Sequence, residues 1–250
     1  MNTHKPILFQ PWKAKAILDW DFEANGPMHT RRFAGLEEVN QYKGRLVGED
    51  SPLGPVGYRG LEISDSYIHP KQKPHYRKFP HHWHWFLGKQ GKFKNTTLPE
   101  LNILSVKCPY GGAGDTLWGR EAWRVASRAQ LDDYQRVTLE YAGQAGQGPL
   151  TKTFDRPAGE RLPGDGNRPL AWRPSIFLPK WASRITLKIL SVRAEIISNI
   201  SEEDAWREGV FFTPAMGGLG YKDNFLSVFE EMHGPDSLNK QAWVIEFVKL

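Results

Sequence analysis

The chain has 250 residues, 40% of them hydrophobic and 24% charged, with 33 Lys and Arg against 28 Asp and Glu for a net charge of +5. That is enough apolar chain for an ordinary core, so one decorated domain over 1–250 is expected rather than two, and the modest positive balance suits a polyanionic partner without the charge density of a DNA-coating protein. Cys108 is the single cysteine, which excludes an internal disulfide and a cysteine-built zinc cage, and no apolar run has the length of a membrane span.

In chain order, Pro6 to Phe9 reads as a short strand, and Pro11 with the following WKAKAILDW reads as a helix with Pro in its first turn, where a missing N–H costs nothing. The first residues, MNTHKPILFQPWK, lack the apolar centre of a signal peptide, so a cytoplasmic protein with no membrane partner is expected. Trp12, Ala16, Ile17 and Trp20 recur at helical spacing, the pattern of core packing. Asn25-Gly26-Pro27 is a turn signal, and Thr30, Arg31 and Arg32 follow in an extended segment. Adjacent residues of a strand face opposite ways, so one arginine of the pair can offer its planar fork to a phosphate or carbonyl while the other stays solvated.

Residues 36–103 are rich in Gly, Pro, His and aromatics, without apolar periodicity over any length, and read as loops and short strands. The run HPKQKPHYRKFPHHWHWF, His69 to Phe86, interleaves Lys71, Lys73, Arg77 and Lys78 with Tyr76, Phe79, Trp83 and Trp85. That composition suits single-stranded nucleic acid, in which phosphates meet cations and bases stack on rings. A covering flap with Trp83 and Trp85 on one face of a short strand, and a partner-protein surface, are the other two readings. His81, His82 and His84 lack metal-ligand spacing and an acidic neighbour, so no metal and no cofactor is expected.

Cys108-Pro109-Tyr110 leads into Gly111-Gly112-Ala113-Gly114-Asp115, a turn, and TLWGREAW then reads as a strand. The glycines do not cradle a phosphate, since the Lys and Ser or Thr of a P-loop are absent and no helix signature follows. Arg120 and Glu121, between Trp118 and Trp123, have two readings: a cleft-facing pair of polar groups, or a buried ion pair with each other or with another strand. Residues 126–170 are polar and punctuated by AGQAGQGP and DRPAGERLPGDGNRP, an excursion or hairpin with a helical turn near Ala129 to Tyr134. Trp172, Arg173, Ser175, Trp181 and Arg184 lie on a proline-broken approach to the next strand and are candidates for base stacking and hydrogen bonding. Ile185, Leu187, Ile189 and Val192 nearly alternate with polar residues up to a break around Leu190, and Ile196 and Ile197 extend that strand. Ser201, followed by Glu202, Glu203 and Asp204, reads as an N-cap with an acidic first turn, and Gly209 as the stop. FFTPAMGGLGYKD reads as a loop. DNFLSVFEEMHG reads as a helix capped by Asp223 with Phe225, Val228, Phe229 and Met232 on its apolar face, and Ala242 to Leu250 as a closing strand.

Four of these segments, WRPSIFLPKWASRITLKI, ISEEDAWREGV, CPYGGAGDTLWGREAW and the terminal WVIEFVKL, together resemble the ASCH domain of the PUA-like superfamily, in the form often encoded by bacteriophages. The resemblance covers roughly residues 6–35 and 104–250 and leaves 36–103 as an insertion. It implies an α+β fold, a small and mostly antiparallel PUA-like β-barrel flanked by about three helices, with a loop-rich insertion laid over one side. It also implies a cleft suited to RNA, single-stranded nucleic acid or a modified base or nucleoside, with Thr30 and Arg32 as the better bets beside Arg31. In that reading Glu208 accepts a hydrogen bond from a base amino group.

Some small ASCH proteins are amidohydrolases that remove the acetyl group from acetylcytidine, using a Lys and a Thr three residues apart and a Glu from the acidic helix. Here Thr30 and Glu208 match, but Pro27 stands where the Lys belongs. A threonine needs a neighbouring base to act as a nucleophile, which proline cannot supply, and Lys13, Lys15 and His29 are the conceivable substitutes. The resemblance therefore implies retained binding with little or no deacetylation. A phage assembly accessory, in which the barrel recognises protein, is the third function class.

Overall fold

The computed structural model describes residues 4–41, 45–46, 58–59, 82–88, 102–126, 136–142, 150–160, 171–210 and 220–250. Within them the chain is a mixed α+β protein. Its strands are β1 (His4–Leu8), β2 (Met28–Arg32), β3 (Arg45–Leu46), β4 (Tyr58–Arg59), β5 (His82–Gly88), β6 (Asn102–Lys107), β7 (Thr116–Arg120), β8 (Trp123–Val125), β9 (Arg136–Tyr141), β10 (Leu150–Asp155), β11 (Thr186–Ile196) and β12 (Gln241–Lys249). Its α-helices are α1 (Pro11–Asp19), α2 (Phe22–Asn25), α3 (Glu37–Gln41), α4 (Glu202–Arg207) and α5 (Tyr221–His233).

One sheet has five strands in the order β1-β7-β11-β12-β2, and a second has three in the order β10-β9-β8. Among the described residues neither sheet closes on itself, so the barrel implied by the sequence resemblance is not seen, while the α+β class is. A further small sheet has β5 paired with β6 and, at separate positions, with the short β3 and β4. The expectation of short strands within 36–103 is met there, since β5 carries Trp83 and Trp85 two residues apart in register with Val106 and Leu104. Residues 69–81, the helical turn at 129–134 and most of the loop after Val210 lie outside the described residues.

By contact density the chain forms two compact units, one from 1–28, 113–190 and 247–250, the other from 29–112 and 191–246. In the first unit, β1 runs parallel to β7 in register from His4 opposite Thr116 to Leu8 opposite Arg120. Pro6 is tolerated there because β1 is an edge strand and its missing N–H can face away from the ladder. Pro11 opens α1, which buries Lys13, Ala14, Ala16 and Ile17 and leaves Trp12 and Trp20 half-buried. The tryptophans thus flank the buried stripe, and the indole N–H of Trp20 donates to the Gly26 carbonyl oxygen at 2.9 Å. β7 pairs antiparallel with β11, Trp118 opposite Thr186 and Thr116 opposite Lys188. Along β11 the inward positions are Leu187 and Ile189 and then Val192 and Ala194, so the alternation changes phase at Leu190, itself 39% exposed.

In the second unit, α4 begins as its sequence requires, for Ser201 Oγ accepts from the Asp204 N–H at 3.0 Å. Gly209 ends it at φ +73°, a conformation favouring glycine. The cap of α5 differs from expectation. Gly220 holds the N-cap position and has no side chain, and Glu202 of α4 supplies the missing acceptor through Oε2 to the Lys222 N–H at 3.1 Å. Asp223 sits in the first turn instead, where it complements the helix dipole. Phe225 and Phe229 of α5 are buried as their spacing predicts, but Met232 is 41% exposed.

Gly119 shows how closely the first unit is packed. A β-carbon there would lie 2.9 Å from Ile185 Cβ and 3.3 Å from the Phe9 ring, and neither neighbour can swing away as a flexible chain end would. We expect Gly119→Ala to cost roughly 1–3 kcal/mol through overpacking, read from the urea midpoint; an unchanged midpoint would contradict this packing.

Candidate functional site

In the first unit the three-stranded sheet and the segment carrying Trp172 make one surface. β8 and β9 pair antiparallel with Trp123 opposite Tyr141, Arg124 opposite Glu140 and Val125 opposite Leu139. An isolated antiparallel bridge joins Trp123 to Arg173, with backbone hydrogen bonds in both directions at 3.1 and 2.7 Å. That register sets Trp172 across from Arg124. Strand alternation then divides the sheet into two faces. Trp123, Val125, Val137, Leu139 and Tyr141 go inward to a cluster with Leu178 and Ala182, against which Phe154 and Trp181 pack. Glu140, Arg124 and Trp172 go outward in one row. Arg124 Nε donates to Glu140 Oε2 at 2.5 Å, and Arg124 Cζ lies 4.8 Å from the centroid of the Trp172 ring, a cation–π contact. Trp172 is 44% exposed, and Ile176 and Phe177, a few positions on in the chain, are 54% and 50% exposed. The same face continues through Thr138, bonded to Thr153 at 2.8 Å, to an exposed Arg136–Asp155 pair.

The other candidates of this unit are used internally to different degrees. Arg184 makes a bidentate pair with Glu121, 2.8 and 2.6 Å, and its Cζ lies 4.4 Å from the Tyr141 ring centroid. Both partners are almost wholly buried, so of the two readings of Glu121 the buried pair with another segment is the one found. Arg120 separates from its neighbour and stacks on Trp118 at 4.5 Å. Arg173 lies over Trp123 at 5.5 Å. Ser175 opens a single 3-10 turn, Ser175–Phe177, and Trp181 lies in another, Lys180–Ala182, with its ring edge-on to Phe154 at 6.3 Å. Buried Tyr141 donates to the Ala182 carbonyl oxygen, and burial first, then Glu121, pushes its hydroxyl pKa well above the ordinary value.

In the second unit β2 delivers Thr30, Arg31 and Arg32. His29 and Arg31 share one strand face and Thr30 and Arg32 the other. Arg31 is 3% exposed and sits among carboxylates: Glu208 at 2.8 Å, Asp204 at 3.4 Å, and Glu195 in direct contact. Burial works against its charge, but Glu208 and Glu195 more than offset this and raise its pKa. Arg193 pairs with Glu195 at 3.2 Å and with Asp204. His29 Nδ1 lies 3.3 Å from Asp204 Oδ1, its Nε2 lies 3.8 Å from Glu246 Oε1, and Ser191 Oγ donates to Glu246 Oε2 at 2.6 Å. Burial lowers the pKa of Arg32, while Tyr110 and Glu208 raise it.

Thr30 and Glu208 are 2% and 3% exposed, so neither lines an open surface. Lys13, a conceivable substitute base, is 3% exposed, and Lys15 is taken up by Asp19 on its own helix. Among the described residues no group of three or more His, Cys, Asp or Glu is placed to hold a metal. No described helix is long and apolar enough to cross a membrane.

No protein-family model, curated protein or solved structure matches the chain. Geometry therefore selects the site, and the outward row Glu140–Arg124–Trp172 is the best-formed surface feature. Trp172 and its neighbour Arg173 are legible in the sequence, but Arg124 and Glu140 are not singled out there. The available signal is positional: Arg124 sits between inward Trp123 and Val125, and Glu140 between inward Leu139 and Tyr141, the alternation that sends both outward.

The carboxylate network carries its own pH signature. His29, with Nδ1 3.3 Å from the carboxylate, is the largest influence on Asp204; burial opposes it, Arg193 and Arg31 assist, and the carboxyl pKa falls to about 2. A pKa depressed on folding stabilises fully above the unfolded value, near pH 4, and the contribution is lost as the pH drops toward 2. Urea midpoints of the wild type should therefore decline over that window. Asp204→Asn should lose about 2 kcal/mol at neutral pH and decline less steeply in acid, and equal slopes for the two proteins would refute the assignment.

Proposed function

We propose that the protein binds RNA or other single-stranded nucleic acid, with an unpaired base stacked on Trp172. The observation that carries this reading is a half-exposed indole with a guanidinium over its ring, on the solvent face of a sheet whose other face is core. Exposing so large an apolar ring costs free energy that an ordinary surface avoids, and every base has a π-face to cover it. Ile176 and Phe177, exposed a few positions on, add apolar surface in the same segment, and the chain's net charge of +5 favours a polyanion over a neutral partner. The ordered motif resemblance to the ASCH domain supports the same class of ligand. Completion of the five-stranded sheet into a PUA-like barrel, and a bacteriophage origin, belong to that reading as proposals.

Short single-stranded oligonucleotides titrated at low salt and followed by fluorescence anisotropy should bind, more weakly as salt is raised. Trp172→Ala should weaken binding roughly five- to hundred-fold, the worth of one base stack, with the thermal midpoint retained. Absence of binding across a panel of RNA, single-stranded DNA and modified nucleosides would remove the proposal.

The hydrolase reading finds less support, because the carboxylate it needs is committed to Arg31 and the base it needs is replaced by Pro27. Incubation with N-acetylcytidine should release little or no cytidine by chromatography. Turnover that vanished in both Thr30→Ala and Glu208→Gln would instead make the protein an amidohydrolase.

A further inference from the structure

The row Glu140–Arg124–Trp172 has a property that stacking does not use. Among the described residues Arg124 spends Nε on Glu140 and lies over the Trp172 ring, and its two terminal nitrogens have no hydrogen-bond partner. The side chain is 34% exposed and Glu140 is 14% exposed, so the fork opens to solvent while its anchor is covered. Direct cross-strand pairing of Arg124 with Glu140, and the bridge that sets Trp172 across from Arg124, hold the three groups on rigid backbone. A guanidinium held at Nε and over a ring still has the N–H groups of its end to donate in parallel.

We infer that the Arg124 fork reads a base edge carrying two adjacent acceptors, so that this surface selects guanine first and cytosine second over adenine and uracil. The inference rests on the nucleic-acid reading above and adds specificity to it. Charge decides between base and phosphate. Glu140 neutralises Arg124 at close range, so the pair as a whole attracts a phosphate weakly, whereas a neutral acceptor edge needs directed donors and no net charge. Hydrogen-bonding pattern decides among bases. Guanine presents O6 and N7 side by side, and an unpaired cytosine presents O2 and N3. Adenine sets an amino group beside N7, which would face a donor with a donor, and uracil places an N–H between its two carbonyls. Guanine's larger ring system covers more of Trp172 than cytosine's, which orders the two. Glu140 is a positioning residue here, because it fixes the fork without touching the base.

The test uses the intact protein and short oligouridylate strands carrying one central G, C, A, U or 7-deazaguanine, with affinities measured by anisotropy. The expected result is that the G strand binds roughly five- to hundred-fold more tightly than the A and U strands, the worth of a bidentate contact, with C between them. The 7-deazaguanine strand, lacking the N7 acceptor, should fall toward the U strand. Arg124→Lys keeps the charge and removes the fork. It should flatten the preference, so that within this variant the G and U strands bind about equally, and Glu140→Ala should reduce the preference in part, with both variants keeping the wild-type thermal midpoint. A merely structural role for the pair would move all strands together. Equal wild-type affinity for the five strands, with Trp172→Ala still weakening them, would overturn the base-reading inference and leave nucleic-acid binding standing. No binding to any strand would overturn both.

Discussion

A charged group taken out of water must be matched by its opposite, and that constraint decides which arginines of this protein are available for anything else. Arg31 in one unit and Arg184 in the other are both buried, and each is met by carboxylates at hydrogen-bond distance. Desolvating a guanidinium costs several kcal/mol, and removing one partner strands a buried charge, so these pairs are structural commitments. Glu208 and Glu121 are bound by the same constraint. A carboxylate holding a buried arginine is a poor candidate for meeting a substrate, because engaging a ligand would first require abandoning its partner. Arg31 and Glu208 are therefore used to hold β2 to the end of α4, and Glu121 holds Arg184 in the segment after Leu178. Arg124 escapes the constraint by being at the surface, where one carboxylate at Nε suffices.

Much of the local structure was legible because short-range chemistry dictates it. Pro11 starts α1, Ser201 starts α4 and Gly209 stops it, each through a backbone group that those residue types satisfy or spare. The phase change at Leu190 was readable because two inward residues cannot sit at odd spacing on one regular strand. What failed needed partners from afar. Asp223 fits the cap of α5 by its position alone, yet the acceptor for the Lys222 N–H is Glu202, 20 residues upstream in a different helix, and a glycine occupies the cap. Met232 fits the apolar stripe of α5 by spacing and still faces solvent, since burial depends on what the neighbouring element covers.

The candidate site divides the same way. Trp172 could be chosen from sequence because a tryptophan on a proline-broken segment has a limited set of uses. Arg124 and Glu140 could not be chosen, because their meaning comes from pairing across β8 and β9, and no sixteen-residue separation in a sequence announces a register. Arg31 and Arg32 stand out as adjacent cations of an extended segment, and the resemblance favours Thr30 and Arg32. Their extended conformation and opposed faces follow from the sequence, whereas the carboxylate cage around Arg31 draws on Glu195, Asp204 and Glu208, more than 160 positions away.

Affinity and selectivity come apart on a surface built this way. On the proposed nucleic-acid reading, the chain's excess of Lys and Arg would act over a Debye length and be blind to sequence, concentrating any single strand near the protein and weakening with salt. The outward row acts only at contact. Its charges cancel within the pair, which leaves ring area and donor geometry as its means of discrimination, and neither is screened by ions. On that reading, neutralising Arg124 with Glu140 gives up electrostatic attraction where a base would be inspected. A fork left unpaired there would hold any passing phosphate, and a phosphate in the fork excludes a base edge. In this arrangement the carboxylate keeps the guanidinium from being a general anion site and makes it a directional one.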